Sequence, residues 1–241
     1  MVNWVGTPDR DKYKGTQNDD TLNGVGGNDQ LSGENGHDII LGGVGDDELF
    51  GGGDNDRLLG QAGDDRMYGN DGADRIEGAD GDDYISGSDG ADIIDGGDGR
   101  DELAGGSGND DLIGGRGADT LYSAGGKNDL QGNAGDDQLV SSGLDVLNGG
   151  KGDDLFKFFY DAPEDFRGTT IEDFNTRDGD SDVADVGSLF DSLDDLLASA
   201  SVGKVDGETA TTIDVDGKDL VLLGYNINKD KNVADHFILD V

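Results

Sequence analysis

The sequence predicts an all-β solenoid, in which short parallel strands stack into a coil that ends in a C-terminal capping region of short strands and one helix. Three observations support this fold class. Apolar residues recur every nine positions, an Asp stands two positions before almost every one of them, and 45 of the 241 residues are Gly. Self-similarity at a short fixed period is typical of a solenoid, in which each repeat contacts only its neighbours.

The apolar column supplies the predicted core. Its regular members are Leu22, Leu31, Ile40, Leu49, Leu58, Met67, Ile76, Ile85, Ile94, Leu103, Leu112, Leu121, Leu130 and Leu139. Tyr13 extends the column towards the N-terminus. The next unit is one residue short and gives Leu147, after which Phe156 resumes the nine-residue step. We therefore expect one inward side chain from each repeat.

Each repeat is predicted to form a six-residue turn followed by a three-residue strand whose middle side chain points inward. The unit Gly42–Phe50 reads G-G-V-G-D-D-E-L-F and follows the pattern G-G-x-G-x-D-x-U-x in full. Two units would complete one coil, so that residues 18 apart lie above one another in two parallel sheets. Glycine permits the positive φ angles of so tight a turn and leaves its carbonyls open to a ligand.

This winding gathers the aspartates into two vertical ladders. The first contains Asp20, Asp38, Asp56, Asp74, Asp92, Asp110 and, through Asn128, Asp145. The second contains Asp11, Asp29, Asp47, Asp65, Asp83, Asp101, Asp119, Asp137 and Asp154. Carboxylates stacked one strand spacing of about 4.8 Å apart repel each other strongly in a partly dry site. The ladders therefore require cations between them.

The donor atoms indicate which cation. Carboxylate and carbonyl oxygens without His or Cys select a hard ion, and flexible loops with many oxygens suit Ca²⁺ better than Mg²⁺. A ladder step is a pair of ladder positions one coil apart. The steps with Asp at both positions predict about 13 sites, or about a dozen bound Ca²⁺ ions. A solvated, disordered acidic run is the alternative for a chain of this composition, but the phase is kept over the whole series and the inward position is always apolar.

These repeats resemble the RTX, or haemolysin-type, calcium-binding family from about Gly6 to Lys157. The resemblance implies a right-handed parallel β-roll, export by a type I secretion apparatus in an unfolded state, and calcium-triggered folding outside the cell. It also implies that the ladder aspartates are calcium ligands. Two places depart from the family pattern: Asn128 removes a charge, and the segment Ser123–Gly126 lacks the usual first glycine.

The composition changes after Lys157, which predicts a roll over residues 1–157 and a cap over residues 158–241. Solenoids need such caps because an open coil exposes unpaired strand edges. The predicted cap elements are a cover at Phe156–Tyr160, a strand at Thr170–Phe174, a helix at Ser188–Ser199, a hairpin of Thr211–Val215 and Asp219–Leu223, and a strand at His236–Leu239.

The cap is similar to the C-terminal flank of secreted RTX proteases, lipases and alginate epimerase modules, with Ile171–Phe174 as the best local match. The terminus, Phe237–Val241, resembles the acidic and apolar ending of type I export substrates. The resemblance therefore implies a secretion signal in the cap and an extracellular location.

Composition excludes several other functions. A formal net charge of -38 repels nucleic acid and anionic lipid, and the chain has no apolar run long enough to be transmembrane. The N-terminus has no apolar segment of the Sec signal type, and the absence of Cys excludes disulfides and thiol catalysis. The chain lacks H-E-x-x-H, G-x-S-x-G and P-loop motifs, and its two histidines, His37 and His236, form no catalytic pattern. We therefore expect no enzyme activity.

Three functions remain open at this point. The chain is either a stand-alone secreted calcium-binding protein, the export and folding module of a larger RTX protease, lipase or epimerase, or a recognition module for polysaccharide, cell envelope or ice. Ice binding is disfavoured because Thr is nearly absent from the repeats. The outward residues Leu41, Phe50, Leu59 and Tyr68 are apolar in successive units and are either ordinary strand filling or a contiguous patch for a partner.

Overall fold

The computed structural model is a parallel β-roll of about nine turns, which confirms the predicted fold class. It describes residues 1–158, 168–174, 181–186, 196, 198–205, 208–215, 218–223, 225 and 236–238. No helix among these residues is long and apolar enough to span a membrane.

The strands follow one another along the chain with short loops between them. In chain order they are β1 Asn3–Val5, β2 Lys12–Lys14, β3 Thr21–Gly26, β4 Gln30–Asn35, β5 Ile39–Val44, β6 Glu48–Gly53, β7 Arg57–Ala62, β8 Arg66–Asp71, β9 Arg75–Asp80, β10 Tyr84–Asp89, β11 Ile93–Asp98 and β12 Glu102–Ser107. They continue with β13 Asp111–Arg116, β14 Thr120–Gly125, β15 Asp129–Ala134, β16 Gln138–Ser141, β17 Val146–Lys151, β18 Leu155–Phe158, β19 Thr170–Ile171, β20 Val183–Asp185, β21 Ala200–Val205, β22 Glu208–Val215, β23 Lys218–Leu223 and β24 Phe237–Ile238.

Consecutive strands belong to opposite sheets. The odd-numbered strands from β1 to β19 form one sheet, which β23, β22 and β21 extend, and the even-numbered strands from β2 to β20 form the other, which β24 extends. Within the repeats, pairing is parallel and joins residues 18 apart, for example Ile76 with Ile94. The short unit reduces this separation to 17, so that Leu130 pairs with Leu147. The nine-residue period therefore sets the register.

The repeat strands are longer than the sequence predicted. Most of them cover six residues rather than three, because the backbone of the turn also pairs with the coils above and below it. The positive φ angles also fall partly on residues other than glycine, including Val25 with φ 79° and Gln61 with φ 83°. The stack itself, rather than glycine alone, holds these residues in the left-handed region.

The core is the single column of inward side chains that the period predicted. Every regular member from Leu22 to Leu139 is at most 1% exposed, as are Leu147 and Phe156. At the N-terminus the column continues one unit further than predicted, because Trp4 pairs with Leu22 and stacks on Tyr13 with ring centroids 4.6 Å apart.

At the C-terminus, residues of the cap continue both sheets of the roll. Leu147 pairs with Ile171, and Phe156 pairs with Ala184. Strands β22 and β23 are antiparallel, which confirms the predicted hairpin, although its Asp216–Gly217 turn lies outside the described residues.

The other predicted cap elements are described only in part. The strand predicted at Thr170–Phe174 is paired over Thr170–Ile171, and the one predicted at His236–Leu239 over Phe237–Ile238. Residues 196, 198 and 199 of the predicted helix are helical, and its remaining residues lie outside the described part. Phe174 lies 6.0 Å from Phe156 between ring centroids, so it covers the last core residue of the roll.

Candidate metal sites in the glycine loops

The ladder aspartates lie at the junction between each loop and the next strand. From Asp20 to Asp154 they are at most 4% exposed, whereas Asp11 in the first coil is half-buried. Their position follows from the repeat, because the Asp carbonyl accepts a hydrogen bond from the first strand residue of the next coil, as Asp56 does from Arg75 at 2.9 Å. Backbone pairing thus stacks the carboxyl groups in two ladders.

One oxygen of each carboxyl group is used within the stack. The backbone N–H of an Asp donates to Oδ1 of the Asp one coil further on, at 2.7 Å from Asp47 to Asp65 and 2.8 Å from Asp65 to Asp83. The same bond, 2.7–2.9 Å long, joins neighbouring coils along both ladders. Each Oδ1 that accepts such a bond is therefore held in place by the backbone of the neighbouring coil.

The second oxygen has no such partner. Among the residues that the structure describes, thirteen Oδ2 atoms are buried and accept no hydrogen bond. They belong to Asp29, Asp38, Asp47, Asp56, Asp65, Asp74, Asp83, Asp92, Asp101, Asp110, Asp119, Asp137 and Asp154. A buried acceptor without a partner is unfavourable by about 1–3 kcal/mol, and by more when it is charged, so thirteen of them in one chain require an explanation.

The first glycine of each repeat makes room for this oxygen. A Cβ placed on Gly51 would lie 2.5 Å from Asp56 Oδ2 and 2.7 Å from the carbonyl oxygen of Gly69, one coil further on. The carboxylate oxygen and the carbonyl oxygen thus face the same point. Gly51 has no positive φ, so its side chain is excluded by close approach rather than by backbone conformation.

Burial makes these carboxyl groups hard to ionise. It raises the pKa to about 6 for Asp38, Asp47 and Asp137, to about 7 for Asp56, Asp65, Asp92 and Asp101, and to about 8 for Asp83 and Asp154. The hydrogen bond from the preceding coil lowers each pKa, but the charges of neighbouring aspartates raise it again. A cation between the loops would offset both the burial and the repulsion.

The donor set fits a hard divalent cation. It consists of carboxylate and backbone carbonyl oxygens, which are the ligands of Ca²⁺ and not of a soft metal. In the described part of the chain, no three His, Cys, Asp or Glu side chains converge to hold a metal by themselves. Backbone carbonyls such as that of Gly69 would therefore supply much of the coordination.

Three predicted site residues and Asn128 differ from this arrangement. Thr7 donates to Asp11 Oδ2 at 2.6 Å, Thr16 donates to Asp20 Oδ2 at 2.6 Å, and Ser141 Oγ donates to Asp145 Oδ2 at 2.7 Å. In these coils a hydrogen bond occupies the oxygen that is unpartnered elsewhere.

Asn128 keeps the stack intact at the place where the sequence departs from the pattern. Its Oδ1 accepts the N–H of Asp110 at 2.8 Å, and its Nδ2 donates to Asp145 Oδ1 at 3.0 Å. Ser123 stands five residues before Asn128, within β14 where most other repeats have a glycine, and its side chain is fully buried. The two changes remove a charge and fill the adjacent space together.

The structure adds Asp182, which the sequence analysis missed, to the second ladder. It is 2% exposed, and its Oδ1 accepts the N–H of Asp154 at 3.1 Å. The signal was present, because Asp182 stands two positions before Ala184, which is fully buried. The nine-residue period does not reveal Asp182, because the next apolar core residue, Ala184, follows Phe156 after 28 residues rather than nine.

The outward apolar residues do not form the single patch that was considered. Leu41 and Leu59 lie in β5 and β7 of one sheet, whereas Phe50 and Tyr68 lie in β6 and β8 of the other. All four are half-buried, and the rings of Phe50 and Tyr68 stack at 5.2 Å. His37 lies on an exposed loop, where its Nδ1 is 3.0 Å from the carbonyl oxygen of Asn55.

Comparison with known proteins gives a family match over the repeats. The family described as RTX calcium-binding nonapeptide repeat (4 copies) matches residues 14–49, 41–76, 50–85, 68–103, 104–139 and 140–156. No curated protein matches the chain.

Two solved structures are similar to parts of the chain. One is the AlgE6R3 subunit of the Azotobacter vinelandii mannuronan C5-epimerase, which is 28% identical over 54% of this chain and 80% of the subunit, with a TM-score of 0.40. The other is the extracellular lipase LipA from Serratia marcescens, which is 18% identical over 84% of this chain and 40% of the lipase, with a TM-score of 0.30. The chain thus spans less than half the length of the lipase.

Proposed function

Because this chain belongs to the RTX calcium-binding nonapeptide-repeat family, we propose that it is a secreted protein whose β-roll folds when extracellular Ca²⁺ binds between its glycine loops. In this proposal the ladder aspartates and the glycine carbonyls are the ligands. The proposal assigns no enzyme activity to this chain. Ca²⁺ would supply the positive charge that compensates the buried carboxylates, and the loop oxygens would coordinate it.

The single observation that carries the proposal is the set of thirteen buried Oδ2 atoms without a hydrogen-bond partner. Each is adjacent to the first glycine of its repeat, whose missing side chain leaves space. Thirteen unpartnered oxygens agree with the expectation of about a dozen Ca²⁺ ions. Asp11, Asp20 and Asp145 belong to the predicted ligand set, but we expect weaker sites there because Thr or Ser already bonds their Oδ2 atoms.

Export by a type I apparatus is the second part of the proposal. A chain that stays unfolded without Ca²⁺ suits passage through a channel, and the higher Ca²⁺ concentration outside would then favour the folded state by mass action. The strongly acidic composition supports this, because 55 acidic residues against 17 basic ones oppose collapse before the ion binds.

Circular dichroism with three matched solutions tests the proposal. In chelator at about pH 8 we expect the spectrum of a largely disordered chain, and in millimolar Ca²⁺ at the same pH a cooperative gain of β signal. Equal Mg²⁺ should be much less effective, because these loops cannot easily provide its strict octahedral geometry. A β-roll that persists in excess chelator would contradict calcium-dependent folding.

A further inference from the structure

The C-terminal end of the second ladder differs from the sites inside the roll. Asp154 is the last aspartate of the repeats, and it is 1% exposed with an unpartnered Oδ2. Inside the roll, the corresponding oxygen faces a glycine carbonyl of the next coil, as Asp56 Oδ2 faces Gly69. Beyond Asp154 the next coil comes from the cap, which lies outside the family match.

An aspartate of the cap, Asp182, is hydrogen-bonded to the backbone of Asp154. The backbone N–H of Asp154 donates to Asp182 Oδ1 at 3.1 Å, and the N–H of Val183 donates to the carbonyl of Asp154 at 2.8 Å. Asp182 is 2% exposed. These two backbone hydrogen bonds are the same as those of a ladder step, although the two residues are 28 rather than 18 residues apart.

A third carboxyl group of the cap fixes the glycine loop beside them. Asp173 Oδ1 accepts the N–H of Gly149 at 2.9 Å, and its Oδ2 accepts the N–H of Gly150 at 2.6 Å. Gly149 is the glycine whose missing side chain makes room for Asp154 Oδ2. Asp173 thus holds the backbone next to the unpartnered oxygen and adds negative charge.

The charges converge on Asp154. Burial raises its pKa to about 8, and the charges of Asp182, Asp137 and Asp173 raise it further in that order of importance. The matching end of the first ladder is different, because Ser141 Oγ donates to Asp145 Oδ2 and contacts Thr169 Oγ1 at 3.2 Å. Hydroxyl groups satisfy that side of the junction, and the Asp154 side has a buried acidic oxygen instead.

We infer that Asp154 and Asp182 hold a Ca²⁺ ion at the junction of the roll and the cap, a site that lies half outside the nonapeptide repeats. Asp173 is the positioning residue that fixes the Gly149–Gly150 loop beside the ion. The inference rests on the proposed function of the ladders. Its consequence is that the ion joins two segments of different sequence, so that docking of the cap depends on Ca²⁺.

Asp182→Asn in the full chain tests this site. The isosteric amide keeps an oxygen for the Asp154 N–H, as Asn128 does for Asp110 at 2.8 Å, and removes only the charge. The matched control is Glu172→Gln, which removes the charge of an exposed neighbour of Asp173. Native mass spectrometry counts the Ca²⁺ ions on each chain, and circular dichroism reports whether the roll has formed.

The expected result is one Ca²⁺ fewer on Asp182→Asn than on the wild type and on Glu172→Gln, with the β signal of the roll retained. If Asp182→Asn binds as many ions as the control, the junction site is wrong and the proposed function stands. If the wild type itself binds no Ca²⁺, the proposed function fails first. Should Asp182→Asn fold incompletely, Asp182→Glu must restore the wild-type count, and failure to restore it overturns the site.

Discussion

Acidification should fold the chain in the absence of Ca²⁺. Burial raises the pKa of Asp83 from 3.8 to about 8 and that of Asp137 from 3.8 to about 6. A group whose pKa is raised in the folded state stabilises the fold fully below its unfolded pKa and loses that contribution as pH rises through the folded pKa. The calcium-free roll should therefore be favoured towards about pH 4 and disfavoured towards about pH 8.

The size of the effect follows from the nine ladder aspartates whose pKa is raised to between about 6 and about 8. When the pH falls from about 7 to about 5, the free-energy penalty for burying each carboxylate decreases by the equivalent of about one to two pKa units. Each unit corresponds to about 1.4 kcal/mol. Because neighbouring aspartates raise one another's pKa and exposed loop residues flank them, the total is about half of the simple sum, on the order of 10 kcal/mol. Domain stabilities are about 5–15 kcal/mol, so this change is large enough to shift the folding equilibrium.

The assay is far-ultraviolet circular dichroism of the chelated chain from about pH 8 to about pH 5, with light scattering to detect aggregation above the sequence pI of about 4.1. The same titration in saturating Ca²⁺ is the control, and there acid should weaken the fold because protons compete with the ion for carboxylates. A chelated chain that keeps a disordered spectrum throughout would refute the reasoning.

Three further predictions test whether the ladder aspartates act as ligands or only as charges, whether the first glycine provides space for the carboxylate, and whether the cap protects the end of the roll. Asp74→Ala should raise the Ca²⁺ concentration at which half of the chain is folded several-fold more than Asp71→Ala. Asp71 is exposed, so its replacement removes the same charge but no ladder carboxylate. Equal midpoints by circular dichroism would favour a pure charge effect. Gly51→Ala should lose Ca²⁺ and about 2 kcal/mol or more of stability, because its Cβ would lie 2.5 Å from Asp56 Oδ2. Gly125→Ala is the control, with no atom nearer than 3.9 Å, and similar melting temperatures for both variants would count against the steric argument. A chain without residues 158–241 should need more Ca²⁺ to fold and should scatter light, because its last strand edges are open; monomeric folding at the wild-type midpoint would argue against a capping role.

The repeats were predictable because one side chain in nine carries the core and its period alone sets the register. Leu130 pairs with Leu147 as the eight-residue unit required. The length of the strands was not predictable from apolar spacing, because the glycine turns pair coil to coil through backbone groups that leave no side-chain pattern. Val25 at φ 79° shows that the stack imposes the turn even without glycine.

The candidate ligands were predictable from the same period, but their two oxygens were not distinguishable in the sequence. Only the structure separates Oδ1, which accepts an N–H from the preceding coil, from Oδ2, which is unpartnered. Asp182 was missed because the segment before it breaks the period, although local Asp-x-apolar spacing returns there. The pairing of β18 with β20 is parallel like the others but joins residues 28 apart, and a periodicity argument assumes a constant separation.

The hydrogen bonds of the ladders give the stack two chemically unlike ends. Each coil receives N–H groups from the coil before it and donates to the coil after it, so the first coil has a carboxylate to fill and the last has an amide to satisfy. Here the N–H of Val2 fills Asp20 Oδ1, and Asp182 accepts the last amide at Asp154. Unlike, complementary ends are the requirement for open-ended filaments. Val2 and Asp182 therefore each bond a ladder group that a further coil would otherwise bond, which leaves these two groups less open to pairing with another chain.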